Sequence, residues 1–276
     1  MIQQPVYHPF ADVVENTGRQ LVVSPLKRDE NGYYTMDYED FEQKIQGARY
    51  FILCNPHNPV GRVWTPEELR KVGELCVRNG VEIISDEIHS DLMLDGHKHT
   101  CMASVSPEIA AITTTCIAPS KTFNLAGLQS STIVFNDEAK KGRLCGGAEA
   151  DDIARNNCFS LVATMEGLHP RRGVAGGASG LSVQEHALHP QLRAERLPEL
   201  KPNTPEATYL CWIDARALGM DDETLKTFCV EKAGVALGYG PDFGVGGSGF
   251  LRLNAACPRA TLEKALTQLE RAVHSR

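Results

Sequence analysis

The sequence predicts an α/β protein of fold-type I character: a mostly parallel sheet with crossover helices, followed by a small α+β unit. Three observations carry that expectation. Short apolar runs alternate with a well-capped helix in the first half of the chain. Three of those runs end in residues that bear chemistry, at Asn58, Asp86 and Lys121. The last third changes to strands and amphipathic helices of another spacing.

The elements follow in order. Tyr50-Phe51-Ile52-Leu53-Cys54 is an apolar run of strand length. The next residues, Asn55-Pro56-His57-Asn58-Pro59-Val60-Gly61-Arg62, are too rich in Pro and Asn for anything but a loop. Thr65 then caps a helix, with Pro66 at its first position and Glu68 completing a capping box. Gly80 stops that helix after Asn79. Val81-Glu82-Ile83-Ile84-Ser85 is a second strand ending at Asp86, and residues 111–118 form a third, ending at Lys121. Strand, helix, strand with short joins implies parallel pairing, and ligands bind beyond the carboxyl ends of such strands.

Further on, residues 207–213 and 249–254 are strands, and residues 222–233 form a helix stopped by Gly234. A last helix starts at about Ala260, with Leu262, Ala265, Leu266, Leu269 and Val273 on one face. Between the halves, residues 165–190 are rich in Gly, Pro, His and Arg and keep no period of two or 3.6. They read as an irregular linker. The expected organisation is a large unit over 1–164, this linker, and a small C-terminal unit over 191–276. Gly244-Val245-Gly246-Gly247-Ser248-Gly249 lacks the strand–loop–helix setting of a phosphate loop and reads as a turn.

Composition excludes several classes. A formal charge of −7 argues against nucleic acid or an anionic membrane as the main partner. No apolar run reaches the roughly 18–20 residues that a membrane span needs. The N-terminus lacks the basic and apolar regions of a signal peptide. Nine scattered cysteines show no CxxC pair and no ligand-like Cys/His spacing, so no metal is expected. Their use as small buried hydrophobes suits a reducing, cytoplasmic setting.

Lys121 is poorly explained as a solvated surface charge. It follows an apolar run, among small polar residues, in Ala118-Pro119-Ser120-Lys121-Thr122-Phe123-Asn124-Leu125-Ala126-Gly127-Leu128. A desolvated lysine amine is a nucleophile toward an aldehyde, so a Schiff base to pyridoxal phosphate is the first chemistry to test. An arginine inside an apolar strand, Arg252 in Phe250-Leu251-Arg252-Leu253-Asn254, needs a counter-charge.

Together these segments resemble the fold-type I pyridoxal-phosphate enzymes of the class I/II aminotransferase superfamily. Within it they are most similar to the MalY/PatB group of cystathionine β-lyase-like C–S lyases. Besides the segments already quoted, the resemblance rests on Pro5-Val6-Tyr7-His8-Pro9-Phe10, Ser85-Asp86-Glu87-Ile88-His89-Ser90-Asp91-Leu92 and Asp151-Asp152-Ile153-Ala154-Arg155-Asn156-Asn157. His89 stands where many aminotransferases carry tyrosine, which favours the lyase group. The resemblance spans residues 1–164 and 192–276.

It implies pyridoxal 5'-phosphate as cofactor and α,β-elimination on a sulfur amino acid, with amino transfer as the alternative. Lys121 would carry the cofactor and then remove the substrate Cα proton. Asp86 would pair with the pyridine nitrogen, Asn58 would donate to the phenolic oxygen, and Tyr7 would stack on the ring. Ser120 would contact the phosphate and His89 would line the site. Arg252 would grip the substrate carboxylate. A homodimer is implied as well.

Two departures from the family pattern are expected to matter. The resemblance begins partway through the family's length, past the small-residue turn expected to hold the cofactor phosphate. Residues 165–189 stand where the family builds a long amphipathic helix, as a compensated reading-frame shift would leave them. A truncated, non-catalytic remnant is therefore the competing class.

Overall fold

The computed structural model describes residues 1–151, 157–168 and 197–276. Helix α1 (Pro9–Asn16) is followed by a small ribbon of β1 (Lys27–Arg28) and β2 (Tyr34–Thr35), then by α2 (Tyr38–Lys44). The main sheet contains β3 (Tyr50–Cys54), β4 (Glu82–Asp86), β5 (Thr113–Ile117) and β6 (Thr132–Phe135), in that spatial order. The first three pair in parallel and β6 is antiparallel. Between β3 and β4 runs α3 (Pro66–Asn79), and before β5 lies α4 (Pro107–Ile112). Helices α5 (Glu138–Ala150) and α6 (Cys158–Leu168) follow the sheet.

α3 forms as its sequence dictates. The Thr65 hydroxyl accepts from Glu68 N, the Glu68 carboxylate accepts from Thr65 N, and Gly80 closes the helix at φ +65°. Its inward face, Leu69, Val72, Leu75 and Cys76, packs with Phe41, Phe51, Leu53 and Ile83 in the principal core.

A second sheet takes the order β7 (Lys201–Pro202), β8 (Leu210–Asp214), β10 (Phe250–Asn254), β9 (Gly238–Tyr239), all antiparallel. Helices α7 (Asp222–Thr227) and α8 (Arg259–His274) accompany it. β8 is buried along its whole length because both of its faces are covered. Cys211, Ile213, Leu251 and Leu253 pack with Leu262 and Leu269 of α8. Trp212 and Phe250 point the other way, stacked at 5.1 Å, and belong to the principal core with Trp64.

Several boundaries differ from expectation. Residues 107–112 are helical, because Ser106 caps them through Ile109 N and Pro107 opens the first turn; the third strand is therefore Thr113–Ile117. The expected strand 207–213 starts only at Leu210, since Thr208 adopts φ +73°. The expected helix 222–233 is α-helical to Thr227 and continues as a π-helical turn over Phe228–Lys232. Residues 165–168, the start of the supposed linker, close helix α6. The rest of that stretch, with the reading-frame expectation, lies outside the described residues, as do residues 152–156. The glycine-rich 244–249 segment is a turn tied to Gln4, whose side-chain oxygen accepts from Val245 N at 2.9 Å. Among the described residues no helix is long and apolar enough to cross a membrane, and all nine cysteines are free thiols.

Candidate active site

The parallel strands end level with one another. Cys54 pairs with Asp86 and Asp86 with Cys116, so the chain leaves β3, β4 and β5 at one edge. There a cavity of ≈ 650 Å³ opens against the second sheet. It is lined by Tyr7, Asn58, Asp86, His89, Ser120, Lys121 and Arg252, all seven of the residues singled out from sequence.

Asp86 ends β4. Among the described residues only its Oδ1 accepts a hydrogen bond, from Ile88 N at 3.1 Å. Burial raises its carboxyl pKa, against the Ile88 bond and the nearby Lys121 charge, which lower it. An acid so placed gains from a cationic hydrogen-bond donor beside it. Its neighbour Glu87 faces inward, 2 % exposed, and holds the strand end. Ser85 Oγ and Met102 N donate to Glu87 Oε1 at 2.8 and 3.0 Å, and His99 Nε2 meets Oε2 at 2.8 Å. Burial alone would raise this carboxyl, but these bonds outweigh it and hold it below the usual range.

Asn58 sits in the loop after β3. Its Oδ1 accepts from Arg252 Nη1 at 3.0 Å, so its remaining polar group is the Nδ2 donor. Tyr7 N donates to Asn58 O at 3.1 Å and brings the tyrosine ring to the cavity mouth, 37 % exposed. The loop is clamped from below by Arg62, 3 % exposed. Arg62 Nε meets Glu206 Oε2 and Nη2 meets Glu68 Oε2, each at 2.9 Å, while Nη1 donates to Tyr34 O. Glu206 N and Ala207 N both donate to Gly61 O, at 2.8 and 3.1 Å. This approach needs glycine, since a Cβ on Gly61 would lie 2.7 Å from Pro205 Cβ.

Lys121 lies half-buried in a turn beyond β5 rather than in the strand itself. That turn is held by Thr122 Oγ1 on Asp91 Oδ2 at 2.8 Å, by Phe123 N on Pro119 O and by Leu125 N on Ser120 O. His89 is buried and its Nδ1 has no hydrogen-bond partner among the described residues. Burial first, then the Lys121 and Arg252 charges, push its imidazole down to about 4, so it is neutral at physiological pH. Arg252 comes from β10. Its face lies over the Phe243 ring at 4.8 Å, its Nε is unpartnered, and no ion pair joins it to an acid among the described residues. The same cavity is lined by Tyr209, Gln129, Ser130 and Ser131, which sequence reasoning missed. Tyr209 lies inside an apolar run that reads as strand, and nothing in the sequence marks Thr208 before it as left-handed.

The arrangement joins a primary amine, an acid of raised pKa, a spare amide donor, several hydroxyls and a guanidinium with no acid partner among the described residues. It suits a planar, phosphorylated, nitrogen-containing aldehyde beside an amino-acid carboxylate.

Comparison with known proteins agrees. Residues 1–269 match the family Aminotransferase class I and II. Cystathionine beta-lyase PatB of Bacillus subtilis is 41% identical over 276 residues, covering 99% of this chain and 71% of PatB. The structure of cystalysin from Treponema denticola, which contains a pyridoxal 5'-phosphate cofactor, superposes with a TM-score of 0.95 at 32% identity, covering 99% of this chain and 70% of that one. The PLP-bound C-S lyase from Staphylococcus hominis gives 0.91 at 31% identity, covering 99% and 69%.

Proposed function

This chain belongs to the aminotransferase class I and II family, and from that premise we propose that it is a pyridoxal 5'-phosphate-dependent C–S β-lyase. Its substrate would be a cystathionine- or cysteine-type amino acid and its products pyruvate, ammonia and a thiol. The observation that carries this reading is the meeting of Lys121, Asp86 and Arg252, from three separate stretches of chain, in one cavity. The names of the relatives, cystathionine beta-lyase and C-S lyase, support elimination as the reaction.

Bound pyridoxal phosphate supplies an aldehyde for the lysine and an electron sink for the substrate carbanion. The protein does the rest. Lys121 Nζ would hold the cofactor, and its free amine would take the Cα proton of the substrate. Asp86 would keep the ring nitrogen protonated through Oδ2, which takes no hydrogen bond among the described residues. Asn58 offers Nδ2 to the phenolic oxygen, because Arg252 occupies its Oδ1. Tyr7 covers the ring face. Ser120, with Ser130 and Ser131, supplies hydroxyls for the phosphate. His89 lines the site as a neutral imidazole. Arg252 holds the α-carboxylate. The Cα–H and Cβ–S bonds break, the thiol leaves, and water takes the three-carbon remainder to pyruvate and ammonia.

Amino transfer is the second reading, favoured by the family's own name and by the residues that serve both reactions until the Cα proton is removed. We extend the proposal to a large cofactor-binding unit that runs through α6 and a small unit that includes the second sheet, acting as a homodimer in the cytoplasm. The free state of all nine thiols supports the reducing compartment.

The test is pyruvate release from L-cystathionine by cofactor-loaded protein without a 2-oxo acid acceptor. Pyruvate is expected, together with a yellow absorbance that borohydride bleaches and that Lys121→Ala abolishes. Amino transfer without pyruvate would overturn the lyase reading. Failure to bind the cofactor at all would favour a non-catalytic member of the family.

A further inference from the structure

Thr208 has no evident reason to be strained. It is 1 % exposed and sits at φ +73°, a conformation that β-branched residues rarely adopt. The surroundings over-determine it. Thr208 N donates to Leu92 O at 2.7 Å, Leu94 N donates to Glu206 O at 2.9 Å, and Met93 bridges Ala207. The threonine hydroxyl accepts from Leu210 N at 3.1 Å. This reversal, immediately before β8, takes Tyr209 out of the strand and puts it on the cavity wall.

There the Tyr209 ring meets His89 edge to face, 5.9 Å between centroids. Its carbonyl accepts from Ala255 N at 2.9 Å, which ties it to the end of the strand that carries Arg252. Tyr209 and Arg252 line the same cavity. None of the roles assigned above uses the Tyr209 phenol. Arg252 has one nitrogen committed to Asn58 and Nε unpartnered. A carboxylate on that guanidinium keeps lone pairs that the arginine alone does not fill.

We propose that Tyr209 is a substrate-binding, specificity-determining residue whose hydroxyl donates a hydrogen bond to the carboxylate seated on Arg252. The inference rests on the reading of Arg252 given under Proposed function. It means that the site selects an amino acid with a free α-carboxylate over one that is amidated or held in a peptide. Burial raises the phenol pKa against the pull of Arg252, so the hydroxyl keeps its proton and remains a donor at neutral pH.

The test uses cofactor-loaded protein and 3-(methylthio)propionate, a probe that has the carboxylate and the sulfur but no amine to react. Dissociation constants are measured by calorimetry, with 3-(methylthio)propionamide as the uncharged control. Tyr209→Phe keeps the ring and its His89 contact. It should weaken carboxylate binding about tenfold or more, as loss of a hydrogen bond to a charged group does. Amide binding should be unchanged, and KM for cystathionine should rise while kcat holds. Unchanged carboxylate binding, or an equal loss for the amide, overturns the proposal. Arg252→Ala separates the two readings. If it leaves carboxylate binding unchanged, the carboxylate site is misassigned and Tyr209 falls with it. If it weakens binding and Tyr209→Phe does not, Tyr209 alone is refuted.

Discussion

Acid should loosen this protein through two buried histidines, one of them next to Asn58 in the loop after β3. His57 and His89 are 1 % and 3 % exposed. Burial pushes the imidazole of His57 down to about 3 and that of His89 to about 4, from an ordinary 6.5. Both are bases depressed in the folded state. Above pH 6.5 they are neutral whether the chain is folded or not, and they cost nothing. Below it the unfolded chain binds two protons that the folded chain refuses, so stability falls with pH down to the folded values. Integrating gives roughly 1 kcal/mol per histidine between pH 6.5 and 5.5, and roughly 4 kcal/mol for the pair by pH 4.5. That is a large share of the ~5–15 kcal/mol that folded domains possess. Urea unfolding followed by the fluorescence of the buried Trp64 and Trp212 at pH 7, 6 and 5 measures it directly. His57→Phe preserves the edge-to-face contact with Trp64, now 5.6 Å between centroids. It should remove about half of the pH slope. The reasoning fails if the wild-type slope is flat over this range, or if His57→Phe leaves it unchanged.

Three further outcomes follow from particular contacts. Gly238→Ala would place a Cβ 3.1 Å from Arg252 Cβ and 3.3 Å from its Nε, so KM should rise roughly tenfold with kcat little changed, read by steady-state kinetics. Glu206→Gln removes one of the two carboxylates that balance the buried Arg62, and should lower unfolding free energy by about 2–3 kcal/mol with an unchanged urea m-value. Thr65→Ala breaks the capping box of α3 and should cost about 1 kcal/mol in the same assay.

Local chemistry explains which parts of the fold were legible. α3 was readable to its ends because Thr65, Pro66, Glu68 and Gly80 each act within their own turn. β3 and β4 were readable because they are short apolar runs bounded by breakers. The start of β5 is ambiguous in the sequence because Ala and Ile serve helix and strand equally well, although Ser106-Pro107 signals a helix start. The end of α7 was missed because a widened turn leaves no mark on periodicity. In the site, Asp86, Asn58 and Lys121 were legible from their positions at strand ends, and Arg252 from its strand. Glu87, Arg62 and Tyr209 were not, because their roles depend on partners more than ten residues away, such as His99 and Glu206.

Trp212 and Phe250 give the second sheet a share in the principal core, alongside Trp64 and Phe51. The two halves of this chain are consequently not separable modules. Expressed alone, residues 1–164 would bare the face on which the Trp212 indole rests, and residues 197–276 would carry two large aromatic surfaces into water. Melting of either half should therefore drag the other with it in one cooperative transition, with no plateau between them.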